Sequence, residues 1–165
     1  MKIVFIYPRW TGDYKGISSY FAKKAGGTYP PINLALLAAI CIKEGHEAEI
    51  IDAEAEKLPP EEVAKLAVQK NPDFVALSGM SPFFHLSLEV AKLVKEENPN
   101  IMIGCGGQHV TIMEEKVFDN VFEYLFVGDG EEQWIKFLRA FDGELAFEDV
   151  PGIVYRKDGE IVKNK

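Results

Sequence analysis

Five short, almost wholly apolar runs, each separated from the next by a stretch of helical periodicity, constrain this chain more than any other feature. The runs are Lys2–Tyr7, Ala48–Asp52, Phe74–Ser78, Ile101–Gly104 and Tyr124–Val127. Strands that lack an in–out alternation are buried on both faces, which calls for a parallel sheet with helices above and below. The intervening segments supply those helices. Asn33 to Glu44 carries Leu34, Leu37, Ala38 and Cys41 on one face and stops at Gly45, a residue suited to the left-handed position after a helix. Pro59-Pro60 introduces Glu61–Lys70, and Pro82 to Glu97 carries the stripe Leu86, Val90, Leu93 and Val94. A helical patch near Met113–Phe118 precedes the fifth run, and Glu131 to Phe141 follows it. Right-handed crossovers then leave few topologies. The expected fold is α/β, doubly wound and flavodoxin-like (Rossmann-like), with a five-stranded parallel sheet in the order 2-1-3-4-5. The tail differs in character: Gly152–Arg156 and Glu160–Lys163 flank Asp158-Gly159, the signal of a hairpin. Its polarity puts it at the sheet edge. The expected organisation is one α/β domain over 1–150, with the hairpin of 151–165 packed on it.

Composition narrows the function classes. A chain of 165 residues fits one domain. A formal net charge of −8 argues against bulk attraction to nucleic acid or anionic lipid. No apolar run approaches the ~20 residues that cross a bilayer, and the apolar start is too short for a signal peptide. Cys41 and Cys105 lie far apart inside apolar segments, and no CxxC occurs. They read as buried, inert thiols, without a self-contained zinc or iron–sulfur site, and the reducing cytoplasm is the expected compartment.

In a doubly wound sheet, ligands bind beyond the carboxyl ends of the strands. The loop after the first strand, Arg9 to Pro31, is long and holds Trp10, Tyr14, Tyr20 and Tyr29. After the third strand comes Ser78-Gly79-Met80-Ser81-Pro82. The fourth is followed by Gly104-Cys105-Gly106-Gly107-Gln108-His109-Val110-Thr111, and the fifth by Gly128-Asp129-Gly130-Glu131-Glu132. Glycines at such places let a ligand approach bare backbone, and hydroxyls add short hydrogen bonds. Any one of these glycines is explained as well by a tight strand-to-helix turn. Three such loops side by side favour a binding edge for a large polar cofactor. The glycine loop is not GxGxxG, since its sixth position is His109, and no Walker A sequence, GxSxG elbow or HExxH is present. Among the histidines, His46 reads as structural or solvated and His85 as a surface or capping residue, while His109 is a candidate ligand contact. Asp129 and Glu131 suit either a ligand or the positive end of the next helix.

These residues resemble the amino-terminal cobalamin (B12)-binding domain of B12-dependent radical S-adenosylmethionine proteins, over nearly the whole chain. The marks are Pro30-Pro31-Ile32-Asn33-Leu34 running into Ala38-Ala39 and Lys43-Glu44-Gly45-His46-Glu47, then Glu49-Ile50-Ile51-Asp52-Ala53. Gly106-Gly107-Gln108-His109-Val110-Thr111, Gly128-Asp129-Gly130-Glu131-Glu132 and Pro151-Gly152-Ile153-Val154-Tyr155-Arg156 complete them. The resemblance implies a sheet edge that holds the lower face and nucleotide tail of cobalamin. Ser78, Gly79 and Ser81 would line the tail, and Gly106 and Gly107 would let it pass close to backbone, beside Gln108 and His109. Gly128, Asp129, Gly130 and Glu131 would close the far side, and the first loop, with Trp10, would lie beneath the corrin ring.

Two departures qualify it. The DxHxxG motif that supplies a histidine to cobalt in other B12 domains is absent, and so is the CxxxCxxC motif that holds a [4Fe–4S] cluster. S-adenosylmethionine and the cluster would therefore belong to an absent radical barrel, in cis or in trans. The chain would catalyse nothing alone and is expected to be the excised first domain of a longer protein rather than a free-standing accessory. Two other readings stay open: a flavodoxin-like domain for a flavin or nucleotide, and an interaction domain that has lost its cofactor.

Overall fold

The side-chain alternation along β1 (Lys2–Tyr7) shows how the layers are built: Val4 and Ile6 enter one core, Ile3 and Phe5 the other, and all four are fully buried. The computed structural model describes residues 1–9 and 29–165. Trp10, Tyr14, Tyr20 and most of the first loop lie outside the described residues.

Helix α1 (Ile32–Lys43) leads to β2 (Glu47–Asp52), which pairs parallel with β1. A short helix, α2 (Ala53–Glu56), begins where Asp52 Oδ1 accepts a bond from the Ala55 N–H at 3.0 Å. Helix α3 (Pro60–Gln69) opens with proline, whose fixed φ suits a first helical turn, and returns the chain to β3 (Phe74–Ser78). A 3-10 turn at Ser81–Phe83 leads into α4 (Phe84–Glu97), then β4 (Met102–Gly106). Helix α5 (Gln108–Met113) and a 3-10 turn at Glu114–Val117 precede β5 (Tyr124–Phe126). Helix α6 (Gly130–Phe141) crosses back, and β6 (Ile153–Lys157) and β7 (Glu160–Lys163) close the chain.

The sheet order is β2-β1-β3-β4-β5-β6-β7. Strands β1 to β5 are parallel in the expected order, and the hairpin adds two antiparallel strands against β5, so one sheet holds seven strands. The Asp158-Gly159 turn has φ of 51° and 87°, the doubly left-handed geometry that such hairpins require. Most element ends shift by a residue or two, and two differences bear on the site. Strand β4 runs on to Gly106 because its last residues pair with Leu77 and Ser78. The helical patch expected near Met113–Phe118 is instead the end of α5 and its 3-10 turn, because the helix begins directly after Gly107 at φ +105°.

Helices α3, α4 and α5 cover one face of the sheet, and α1 and α6 cover the other. The second face is aromatic. Trp134 is 2 % exposed and sits 5.0 to 5.9 Å, centroid to centroid, from Phe126, Phe137, Phe5 and Phe74. Its indole N–H donates to Cys41 Sγ at 3.0 Å, which fastens α6 to α1.

Candidate functional site

Where α1 and α6 meet over the carboxyl ends of the central strands, small residues leave a furrow. Ala76 of β3 lies in register with Gly104 of β4, and Ser78 with Gly106. A side chain at Gly104 has no room, since a Cβ there would lie 2.6 Å from Phe74 Cζ and 2.7 Å from Phe126 Cε2. The furrow becomes a cleft of about 210 Å³ between α1 (Asn33, Leu34, Leu37) and the start of α6 (Gly130, Glu131, Gln133, Trp134). Gly107, Gly128 and Asp129 rim it. Its floor and one wall are aromatic or aliphatic and its mouth is polar, the usual make-up of a small-molecule site.

Seven of the twelve residues expected at a site line this cleft: Ser78, Gly106, Gly107, Gly128, Asp129, Gly130 and Glu131. Four others gather beside it, toward α4 and α5. The Gly79 N–H donates to Gly106 O at 2.7 Å, and the His109 N–H donates to Gly79 O at 3.0 Å. His109 Nδ1 lies 3.2 Å from Ser81 Oγ, and the imidazole rests on the Phe84 ring at 4.5 Å. Gln108 is exposed as the first residue of α5. Trp10 lies outside the described residues.

The glycines divide by geometry. At Gly107 a Cβ would come 2.8 Å from Gly79 O, so its bare face is used by the protein itself to cross two loops. Gly128, at φ +100°, has open space around it, and its N–H donates to Thr111 Oγ1 at 3.0 Å. Gly130 has ordinary backbone and only Leu37 within reach, at 3.7 Å, so nothing within the protein calls for a glycine there. Asp129 stands at the N-cap of α6 without making a capping bond, and both it and Glu131 are exposed.

Other ionisable groups are set apart from the cleft. Burial pushes the Cys41 thiol up to about 11 and the Cys105 thiol up to about 12, so neither offers a thiolate at neutral pH. His46 is buried between Met1 N, 3.1 Å from Nδ1, and Asp142 Oδ2, 3.3 Å from Nε2, where it joins the chain start to the end of α6. His85 is exposed on α4. Among the described residues no group of three His, Cys, Asp or Glu side chains is placed to hold a metal ion, and no helix is long and apolar enough to cross a membrane.

Sequence reasoning missed the walls of the cleft. Leu34 and Leu37 share one face of α1 in the sequence pattern, and that face also borders the cleft. Gln133, the fourth residue of α6, gave no signal at all. It is 4 % exposed, lines the cleft, and its Oε1 is buried without a hydrogen-bond partner. Buried acceptors without a partner are few in folded proteins, which sets Gln133 apart from the other residues of the cleft.

Residues 19–135 match the family described as B12 binding domain. The uncharacterized methyltransferase PH0819 of Pyrococcus horikoshii is 28% identical over 163 residues, which is 98% of this chain and 34% of that protein. The anaerobic magnesium-protoporphyrin IX monomethyl ester cyclase of Cereibacter sphaeroides is 27% identical over 98% of this chain and 26% of its own length. The chain thus spans about a third or less of the curated relatives it matches. Among solved structures, the cobalamin-dependent S-adenosylmethionine radical enzyme OxsB, with aqua-cobalamin and S-adenosylmethionine bound, superposes with a TM-score of 0.77. That match covers 99% of this chain and 22% of OxsB at 18% identity, a likeness of fold. With a matched segment that takes in most of the sheet and every glycine loop at its carboxyl edge, the chain belongs to the B12 binding domain family.

Proposed function

We propose that the chain holds cobalamin at the carboxyl edge of its sheet and presents it to a radical S-adenosylmethionine barrel. The observation that carries this reading is the cleft between α1 and α6, in a chain of the B12 binding domain family. A corrin macrocycle is too broad for a cleft of about 210 Å³, whereas the flat base at the end of the nucleotide tail is not. In this reading the base enters between Leu34, Leu37, Phe126 and Trp134, and the corrin ring rests across the loop tips outside. Ser78, Gly106, Gly128, Asp129, Gly130 and Glu131 meet the tail at the mouth. Gly79, Gln108 and the Ser81–His109 pair offer polar contacts to the amides around the ring.

Bound cobalamin would supply the cobalt chemistry, and the chain's own part is to bind and orient. The relatives' names include a methyltransferase and a cyclase, so the reaction would be set by the partner barrel, in cis or in trans, which also brings the cluster and S-adenosylmethionine. Both cysteines are free, which suits the reducing cytoplasm. The test is a titration with hydroxocobalamin followed by desalting and a visible spectrum. Cobalamin retained with shifted bands supports the reading. A colourless protein, both for this chain and for a longer chain that includes the barrel, would overturn it.

A further inference from the structure

The side-chain amide of Gln133 is held in one orientation. Its Nε2 donates to Val127 O at 3.2 Å and to Pro151 O at 2.6 Å, which uses both amide hydrogens. Those two carbonyls also fix which way the amide lies, since the reverse orientation would set an oxygen against two oxygens. Oε1 is left as an acceptor, buried and without a partner, on a residue that lines the cleft next to Trp134. The fold makes room for this arrangement. Gly152, at φ +67°, lies where a Cβ would come 2.6 Å from Gln133 Nε2 and 2.5 Å from Val127 O. A glycine in the left-handed region thus admits an amide whose buried Oε1 bonds to nothing in the protein.

We propose that Gln133 Oε1 accepts a hydrogen bond from a donor on the nucleotide tail of the corrinoid, and so reads the tail rather than the ring. The inference rests on the cobalamin reading of the cleft and goes beyond it by naming the group that selects for the tail. Two donors on such a tail have the required chemistry: a ribose hydroxyl, common to all complete corrinoids, and an exocyclic amine on a purine lower base. Dimethylbenzimidazole, the lower base of cobalamin, carries no such amine. An acceptor that goes unpaired in one complex and paired in another changes affinity on the order of ten- to a hundredfold.

The experiment compares wild type with Gln133→Met, which keeps the length and removes the oxygen, against cobalamin, an adenine-based corrinoid and cobinamide, which has no nucleotide tail. The expected result is a loss of roughly tenfold or more for a tailed corrinoid with cobinamide affinity unchanged. Equal loss on cobalamin and the adenine-based corrinoid assigns the ribose hydroxyl as donor, and loss on the adenine-based one alone assigns the base amine. A general loosening of the Pro151 turn would weaken cobinamide by the same factor, and that result would overturn the proposal, as would unchanged affinity for both tailed corrinoids. Should Gln133→Met fail to fold, the side-chain carbonyl carbon of Gln133 in wild type provides a second measurement. Its NMR shift moves on adding a tailed corrinoid and stays put with cobinamide, and no movement with either refutes the assignment. Wild type that binds none of the three, both as this chain and within a longer chain that includes the barrel, overturns the cobalamin reading itself, whereas wild type that binds cobinamide as tightly as cobalamin overturns only the role of Gln133.

Discussion

Replacing Gly130 with alanine separates a glycine kept for a ligand from one kept for a turn. Gly130 is the first residue of α6, its φ is not in the left-handed region, and a Cβ there would meet only Leu37 Cδ2 at 3.7 Å and Cδ1 at 3.9 Å. Those are ordinary van der Waals distances, so the methyl group costs nothing in the free protein. Alanine is favoured over glycine by about 0.5–1 kcal/mol inside a helix, and less at its first turn. For a chain of this size about 1 kcal/mol corresponds to about 2–4 °C, so Gly130→Ala should melt at the wild-type temperature or up to a few degrees above it. Cobalamin binding should move the other way. A ligand packed on the cleft mouth meets the added methyl, and overpacking of that kind costs about 1–3 kcal/mol, or roughly 5- to 150-fold in Kd. Differential scanning calorimetry of the free protein and absorbance titration with hydroxocobalamin provide the two readings. A free protein destabilised by more than about 1 kcal/mol would mean that the turn needs the glycine. Unchanged affinity would mean that the ligand does not approach Gly130.

The remaining expectations follow from the same geometry. Gly107→Ala should destabilise the free protein by about 2 kcal/mol or more, from the left-handed φ and the 2.8 Å approach to Gly79 O, as read by urea unfolding. Trp134→Ala empties the centre of the aromatic face and should cost about 3–5 kcal/mol by the same assay, together with cobalamin binding. Burial raises the Cys105 thiol to about 12, well above its ordinary value, so above pH ~9 the unfolded chain holds fewer protons than the folded one. Stability should therefore be complete below pH ~9 and fall between there and pH ~12, by up to about 1.4 kcal/mol per unit. Urea midpoints of Cys105→Ala should lose less over that range than those of wild type, and parallel curves would contradict the assignment.

The order of the parallel strands was legible because each apolar run is bounded by a residue that ends it, such as Pro8 after β1 or Asn71-Pro72 before β3. In the sequence β4 looks short because glycine weakens any strand signal, yet its pairing with β3 carries it through Gly104 to Gly106. The short helix Ala53–Glu56 escaped notice because its one signal is the cap made by Asp52, a residue that also ends a strand. At the site, loop chemistry was legible and shape was not. Glycines and hydroxyls after strands mark an edge in any sheet of this kind. The cleft itself arises where α1 and α6, far apart in sequence, splay over Ala76 and Gly104. Gln133 takes its meaning from Pro151 O, which the chain brings back only after α6 has ended.

The two outer strands have a consequence for self-association. Strand β2 holds Glu49 between Lys2 and Lys70, at 2.9 and 2.5 Å. At the opposite border, β7 is only four residues long, begins with an exposed Glu160 and ends with Lys163 paired to Glu114. A second chain that added a strand to either border would have to strip water from these charges. Such guarded borders discourage continuation of the sheet from molecule to molecule. The hairpin thus closes this flank of the parallel sheet to further strands, because the backbone groups of β5 that would otherwise be open are already taken by β6.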